Sequence, residues 1–188
     1  MKIIAISGHA RSGKDTVAGF LKERLCEKDS GASVLITRYA DLLKYVCKNF
    51  FNWNGEKDEA GRTLLQHIGT DVVRAQDPDF WVDFTIKMLR FFDEQWDFVI
   101  IPDVRFPNEL TKLVEQGWDV TSLRVVRSDH TSHHISHNTS SLTEKQRAHS
   151  SETSMDNVPL DFCIENDGSL SELKEKINNW IMEVLYAQ

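Results

Sequence analysis

The sequence predicts an α/β domain, a mostly parallel sheet covered by helices on both faces, and three observations predict it. Short apolar runs alternate along the chain with segments of helical periodicity, which is the pattern of strand-helix-strand units. Several runs are hydrophobic at consecutive positions, as in Phe98-Val99-Ile100-Ile101, and this suits strands covered on both faces. The first run passes directly into a glycine-bounded loop and then a helix, at the strand end where open α/β sheets bind ligands.

Taken in order, the strands are Lys2 to Ser7, Ser33 to Tyr39, Asp97 to Pro102, Thr121 to Arg127 and Asp161 to Glu165. Lys14 to Glu27 is a helix because Val17, Phe20, Leu21 and Leu25 fall on one face. Asp41 to Gln95 holds three helices, broken near Asn52-Trp53-Asn54-Gly55 and near Asp77-Pro78, where turn residues and proline interrupt the period. One crossover needs a single helix, so this stretch reads as a helical insertion between the second and third strands. Ser128 to Pro159 is polar and rich in His, Ser and Thr, with one short helix around Leu142 to Ala148. A segment of that length inside a compact domain is functional or disordered. Ser171 to Tyr186 closes the chain as an amphipathic helix carrying Leu173, Ile177, Ile181 and Val184 or Leu185. The chain shows no internal repeat and no linker.

A chain of 188 residues fits one domain, and 40% hydrophobic with 27% charged residues is a globular composition. The formal charge of −7 argues against a protein that grips polynucleotides, because that mode needs a basic face to neutralise phosphates. Any anion must be met locally. Cys26, Cys47 and Cys163 lie too far apart for a zinc or redox motif and read as reduced core thiols. The run Ile3-Ile4-Ala5-Ile6 reaches Gly8 at once, which leaves no room for a signal peptide, and no stretch approaches the roughly 20 apolar residues of a membrane span. The expectation is a cytoplasmic protein without a membrane partner.

Gly8-His9-Ala10-Arg11-Ser12-Gly13-Lys14-Asp15-Thr16 matches GxxxxGK between a strand and a helix, the context a phosphate-binding loop requires. Its glycines let backbone N–H groups turn inward around a phosphate, the helix N-terminus adds partial positive charge, and Lys14 reaches the outer phosphates. Gly8, Ala10, Arg11, Ser12, Gly13, Lys14, Asp15 and Thr16 are therefore the expected nucleotide-binding residues. The position after the lysine is usually a Ser or Thr that binds magnesium. Here it is Asp15, and the ion is held by Asp15 directly, by Asp15 through water, or by Thr16. Asp103, at the carboxyl end of an inner strand, faces this loop. It serves magnesium, orients an acceptor or caps the following helix, with Arg105 beside it to meet phosphate.

The loop, together with Tyr39 to Lys44, Arg62 to Arg74, Asp77 to Val82, Asp103 to Leu110 and Ile164 to Leu173, resembles the phage-type deoxynucleoside monophosphate kinases. More loosely the chain resembles the wider P-loop nucleoside monophosphate kinase group. The likeness spans nearly the whole chain, and the Gly-Lys-Asp-Thr form of the loop is typical of the family.

That resemblance implies a three-layer P-loop kinase fold around a parallel five-stranded sheet in the order 2-3-1-4-5. Its core would be residues 1–39, 97–127 and 160–188, with an acceptor-binding insertion at 40–96 and a lid at 128–159. The implied reaction transfers the γ-phosphoryl group of ATP to a deoxynucleoside monophosphate with Mg²⁺. Its partners would be small-molecule nucleotides, and a homodimer is the oligomer the resemblance allows. The same carry-over makes Lys14 the donor clamp and sets Asp103 and Arg105 against the acceptor phosphate, Asp103 also serving as a metal ligand. Tyr39, Lys44, Arg62, Gln66, Gly69, Thr70 and Arg74 fall on the acceptor side, where Arg62 or Arg74 grips the monophosphate in bidentate fashion. Trp81 closes that pocket or packs in the core. Arg127 and Arg147 would bring charge to the transferring group, and Asn166 and Gly168 would hold the donor adenine.

His130, His133, His134, His137 and His149 recur at spacings of three and four that would suit a metal on a helix. The surrounding Ser and Thr disfavour a stable helix, so the stretch reads as a protonatable flap and not a zinc site. The near rivals are kinases of another phosphorylated acceptor, of the phosphomevalonate or dephospho-coenzyme A type. A nucleotide-binding switch has no need for both an insertion and an arginine-bearing lid.

Overall fold

The computed structural model describes residues 1–127 and 142–186. In chain order the elements are β1 (Lys2–Ser7), α1 (Lys14–Lys28), β2 (Val34–Ile36), α2 (Ala40–Phe50) and α3 (Glu59–Gln66), which continues as π-helical turns at His67–Arg74. There follow α4 (Phe80–Phe91), β3 (Phe98–Val104), α5 (Pro107–Glu115) and β4 (Asp119–Val126). The chain ends with α6 (Glu144–Arg147), α7 (Ser150–Thr153), β5 (Phe162–Glu165) and α8 (Leu170–Trp180), which runs on as π-helical turns at Ile181–Leu185.

Every strand pair is parallel and the order is β2-β3-β1-β4-β5, the order implied by the resemblance. The near-continuous apolar runs of β1 and β3 are explained by the two cores they separate. On one face Ile4, Ile6 and Ile100 pack with Val17, Leu21 and Leu25 of α1 and with Leu173 and Ile177 of α8. On the other, Ile3, Ala5, Val99 and Ile101 pack with Val82, Ile86 and Leu89 of α4 and Leu113 of α5. The inserted helices keep a smaller cluster of their own, built on Cys47, Trp53 and Ile68.

The register positions the site. Ala5 of β1 pairs with Ile101, yet Ser7 pairs with Val104, so β3 carries one extra residue at Pro102-Asp103. Pro102 has no N–H to give the ladder, and a bulge is where a strand re-aims a side chain. Asp103 sits on this bulge at the carboxyl edge of the sheet.

Several expectations are corrected. The second strand is three residues long instead of reaching Tyr39, because the Asp103 carboxylate accepts from Tyr39 N at 3.1 Å and Ala40 N at 3.0 Å and starts α2 there. The third strand extends past Pro102 to Val104, and the fourth begins earlier, at Asp119. Pro107–Glu115 is a helix that periodicity did not disclose; Pro107 at its first position and Glu109 accepting from Phe106 N mark its start. The short helix near Leu142 to Ala148 is Glu144–Arg147, and a second turn, α7, follows it. Of the cysteines only Cys47 is buried. Cys26 lies off the buried face of α1, and on the edge strand β5 the inward position belongs to Ile164, which leaves Cys163 exposed. His130, His133, His134 and His137 lie outside the described residues.

While α4 buries Trp81, Val82, Thr85, Ile86 and Leu89, its opposite face leaves Phe80, Phe84, Met88 and Phe91 exposed in one stripe. No helix among the described residues is long and apolar enough to cross a membrane.

Candidate active site

The loop between β1 and α1 turns on two glycines. Gly8 has φ 145° and Gly13 φ 100°, a region that side chains strain to adopt, and Arg11 between them also has positive φ. A Cβ on Gly8 would lie 2.3 Å from the Val125 carbonyl oxygen, so the loop sits directly against β4. A Cβ on Gly13 would lie 2.3 Å from Asn166 Nδ2, which donates to the Ser12 carbonyl at 2.9 Å. Asn166 thus ties the loop after β5 to the phosphate loop, while Gly168 abuts Glu172 at the start of α8. The Ser12 hydroxyl is buried and has no hydrogen-bond partner among the described residues. An orphaned donor in a glycine cradle at a helix N-terminus fits a phosphate.

Lys14 is buried, and its ammonium donates to the Gly8 and His9 carbonyls at 2.6 Å each. Burial, followed by the charge of Arg105, lowers its pKa to about 8. Asp15 follows on the exposed side of α1 and pairs with Arg38 at 2.6 Å through Oδ1 alone. Burial pushes this carboxyl up, but the hydrogen bond and charge of Arg38 outweigh it, and the net shift is downward. Thr16 is exposed one position further along.

Beyond the bulge lies a pocket formed by α2, α3 with its π-helical continuation, the start of α4, the end of β3 and α7. It gathers Tyr39, Lys44, Arg62, Gln66, Gly69, Thr70, Arg74 and Trp81, together with Asp103 and Arg105. All the residues expected on the acceptor side therefore share one cavity although they span some 65 positions of sequence.

Their present bonds differ. Arg74 is engaged: it forms a nearly buried ion pair with Glu109, donates to the Pro78 carbonyl at 2.9 Å and lies 4.2 Å over the Phe106 ring. Burial pushes the Glu109 carboxyl up to about 7 against the pull of Arg74 and the amides of Arg105 and Phe106. Arg62 by contrast has a buried Nε with no hydrogen-bond partner among the described residues. Burial and then the nearby charges of Arg11 and Arg105 hold its pKa below the usual arginine range. Arg62 from α3 and Arg105 from the end of β3 thus line one cavity, with Arg11 of the loop within electrostatic reach of Arg62, and like charges so placed suit an anion.

Other members serve as walls and struts. Trp81 is buried and both lines the pocket and packs in the core, its Nε1 donating to the Gly69 carbonyl at 2.9 Å. Gln66 donates to the Gln146 carbonyl at 3.1 Å, and Lys44 pairs with Asp41 at 2.8 Å. Burial raises the Asp103 pKa although the Ala40 and Tyr39 amides oppose it, and the helix this residue caps is α2, not the one that follows it in sequence.

Arg127 and Arg147 are exposed and do not line the pocket. Four residues at the site were not among the expected site residues: Arg38, Lys57, Glu109 and Glu152. Two of them had a readable cue: Glu109 stands two residues after a helix-starting proline, and Glu152 ends His149-Ser150-Ser151-Glu152, a stretch resembling a lid element of the family to which the sequence assigns no role.

A phosphate loop at the edge of a 2-3-1-4-5 parallel sheet, facing a second cationic pocket between inserted helices, defines the P-loop kinase class of fold. Shikimate kinase from Aquifex aeolicus vf5 has a similar fold, with a TM-score of 0.51 at 13% identity over all of both chains. A sugar kinase from Janibacter sp. HTCC2649 has a TM-score of 0.50 at 13% identity over 96% of this chain and 93% of its own. The chain belongs to the deoxynucleotide monophosphate kinase family, whose sequence model matches residues 27–177. It is 33% identical over 131 residues to the deoxynucleotide monophosphate kinase of Enterobacteria phage T4, covering 67% of this chain and 47% of the relative. It is 31% identical over 118 residues to that of Escherichia phage RB69, covering 62% of this chain and 42% of the relative. The chain thus spans about half the length of the curated relatives it matches.

Proposed function

We propose that this chain is a deoxynucleoside monophosphate kinase, transferring the γ-phosphoryl group of ATP to the phosphate of a deoxynucleoside monophosphate to give the diphosphate and ADP. Family membership supports the substrate class. The observation that carries the reading is the meeting of the donor loop with the acceptor pocket, where Arg62 and Arg105 line one cavity and Arg62 lies within electrostatic reach of Arg11 of the loop.

The acceptor phosphate is already an anionic nucleophile, so the reaction needs alignment and charge neutralisation more than a base. The carboxylates of Asp103, Glu109 and Glu152 all accept hydrogen bonds from amides or guanidinium groups, which suits them to orient other groups. Lys14 leaves its loop carbonyls to hold the donor phosphates, and the Ser12 hydroxyl gains a partner there. Arg62 grips the acceptor monophosphate, because Arg74 is committed to Glu109 and shapes the wall. Tyr39 and Trp81 bound the cavity for the nucleoside, with Lys44, Gln66, Gly69 and Thr70 around them.

Mg²⁺ fits beside Lys14, where Asp15 and Thr16 present hard oxygen donors, and Asp15 Oδ2 makes no hydrogen bond to a described residue. The ion would be held by these two with Asp103 facing them, and it neutralises charge on the phosphate oxygens when bound. Asn166 and Gly168 border the adenine. We read residues 40–96 as the acceptor-binding insertion and 128–159 as a lid whose closure excludes water and brings Arg147 over the transferring group, toward which Arg127 reaches from the end of β4. The enzyme works in the cytoplasm, where its nucleotides are. The apolar stripe on α4 is the face on which a second copy would pair.

The test is an ADP-release assay with a panel of deoxynucleoside and ribonucleoside monophosphates, with phosphomevalonate and dephospho-coenzyme A as controls. Acceptor-dependent ADP with deoxynucleoside monophosphates is the expected result. None above the hydrolysis background would sink the reading.

A further inference from the structure

We propose that Glu152 is a positioning residue for phosphoryl transfer, its carboxylate tying Arg105 at the end of β3 to the backbone of the phosphate loop. The proposal rests on the phosphoryl-transfer reading above. Glu152 Oε2 accepts from Ala10 N at 3.1 Å, and Oε1 accepts from Arg105 Nη1. One side chain from α7 thereby joins the donor loop, 142 residues away in sequence, to the acceptor-side arginine, 47 residues away.

The geometry of the arginine shows what the contact does. Arg105 Nη1 also donates to the Ser151 carbonyl at 2.7 Å, so both of its hydrogens are used on α7. Nε and Nη2 make no hydrogen bond to a described residue. Those two nitrogens form the edge of a guanidinium that binds a phosphate in bidentate fashion. Glu152 and Ser151 thus pin one corner of the fork and leave the phosphate-binding edge available. A long side chain held at one end has fewer orientations to lose when a phosphate arrives, which is how a supporting residue preorganises a site.

The turn that presents Glu152 is held on both sides in this conformation. Its side chain is 8% exposed, against 30% for Arg105. On one side His149 contacts Ser151 Oγ at 2.9 Å and Asp71 at 3.3 Å. On the other, Met155 is buried in the core and its carbonyl accepts from Arg124 at 2.8 Å. The charge of Glu152 also reaches Lys14 and Arg62, so it stands among the same cations that would face the two phosphates.

The decisive experiment is a double-mutant cycle on acceptor-dependent transfer with Glu152→Gln and Arg105→Ala, together with amide exchange at Ala10 by NMR. Glu152→Gln should lower kcat on the order of 10- to 100-fold, with a smaller change in KM for ATP. In the Arg105→Ala background the same change should cost nothing further, because no arginine is left to position. Ala10 N–H exchange should quicken in Glu152→Gln. Glu152→Asp, which keeps the charge but is one methylene short of the span, should show the same kcat loss in a folded protein. Multiplicative losses in the cycle, an unchanged kcat or an unchanged Ala10 exchange would each overturn the proposal. A wild-type chain without transfer activity would instead overturn the reading beneath it.

Discussion

Lys14 shows how a residue picked out by a motif acquires its working properties from its surroundings. The glycine spacing of the loop identifies it, but burial and Arg105 set its pKa near 8. The free protein therefore loses this positive charge as pH rises through about 8, and kcat/KM for ATP should fall on the alkaline side with an apparent pKa there. Lys14→Arg should remove that alkaline limb, because arginine stays charged. Lys14→Ala should cut turnover by about 100-fold or more with an unchanged circular dichroism spectrum. Arg62 and Arg74 are indistinguishable by sequence, and only their partners separate them. Arg62→Ala should raise KM for the acceptor about tenfold or more and leave KM for ATP nearly unchanged; equal effects on both would remove Arg62 from acceptor binding.

At the scale of elements, the helix that periodicity did not disclose turns out to carry a buried ion pair. Glu109, in the first turn of α5, holds Arg74 from the π-helical end of α3 and the Arg105 amide from the strand loop. Removing one partner leaves the other buried and unpaired, so Glu109→Leu should destabilise the fold by about 3 kcal/mol in urea unfolding. Adding Arg74→Met should restore part of that loss. The short helix α6 is tied down differently. Gln146 is buried, and its Nε2 donates to the Glu59 carbonyl at 3.0 Å and Thr63 Oγ1 at 3.1 Å on α3. Gln146→Ala should weaken this latch by about 1–2 kcal/mol, read as faster hydrogen exchange across residues 142–153. The resemblance assigned a lid to this stretch. The attachment of its second half to α3 depends on side chains 80 and more residues apart, which no local pattern reports.

For the whole molecule, a net charge of −7 coexists with a cationic cleft because the arginines and lysines of the site face inward from separate elements. The apolar surplus lies elsewhere, on the outer face of α4. If that stripe pairs two copies, Phe84→Glu should convert a dimer to a monomer in sedimentation while leaving the fold intact; a wild-type monomer would refute the pairing. The sequence by itself determined the alternation of strands and helices, the glycine-bounded loop between β1 and α1 and the run of helices between β2 and β3. These follow from periodicity and glycine placement, which are properties of a few neighbouring residues. Tertiary structure alone decided that Asp103 starts α2, that Asp15 pairs with Arg38 and that Glu152 joins the loop to Arg105. It also left Arg62 without a partner for its buried Nε among the described residues while Arg74 is committed to Glu109. Burial and pairing of charges depend on which distant side chains the parallel sheet brings to one edge, and a linear sequence does not specify those distances.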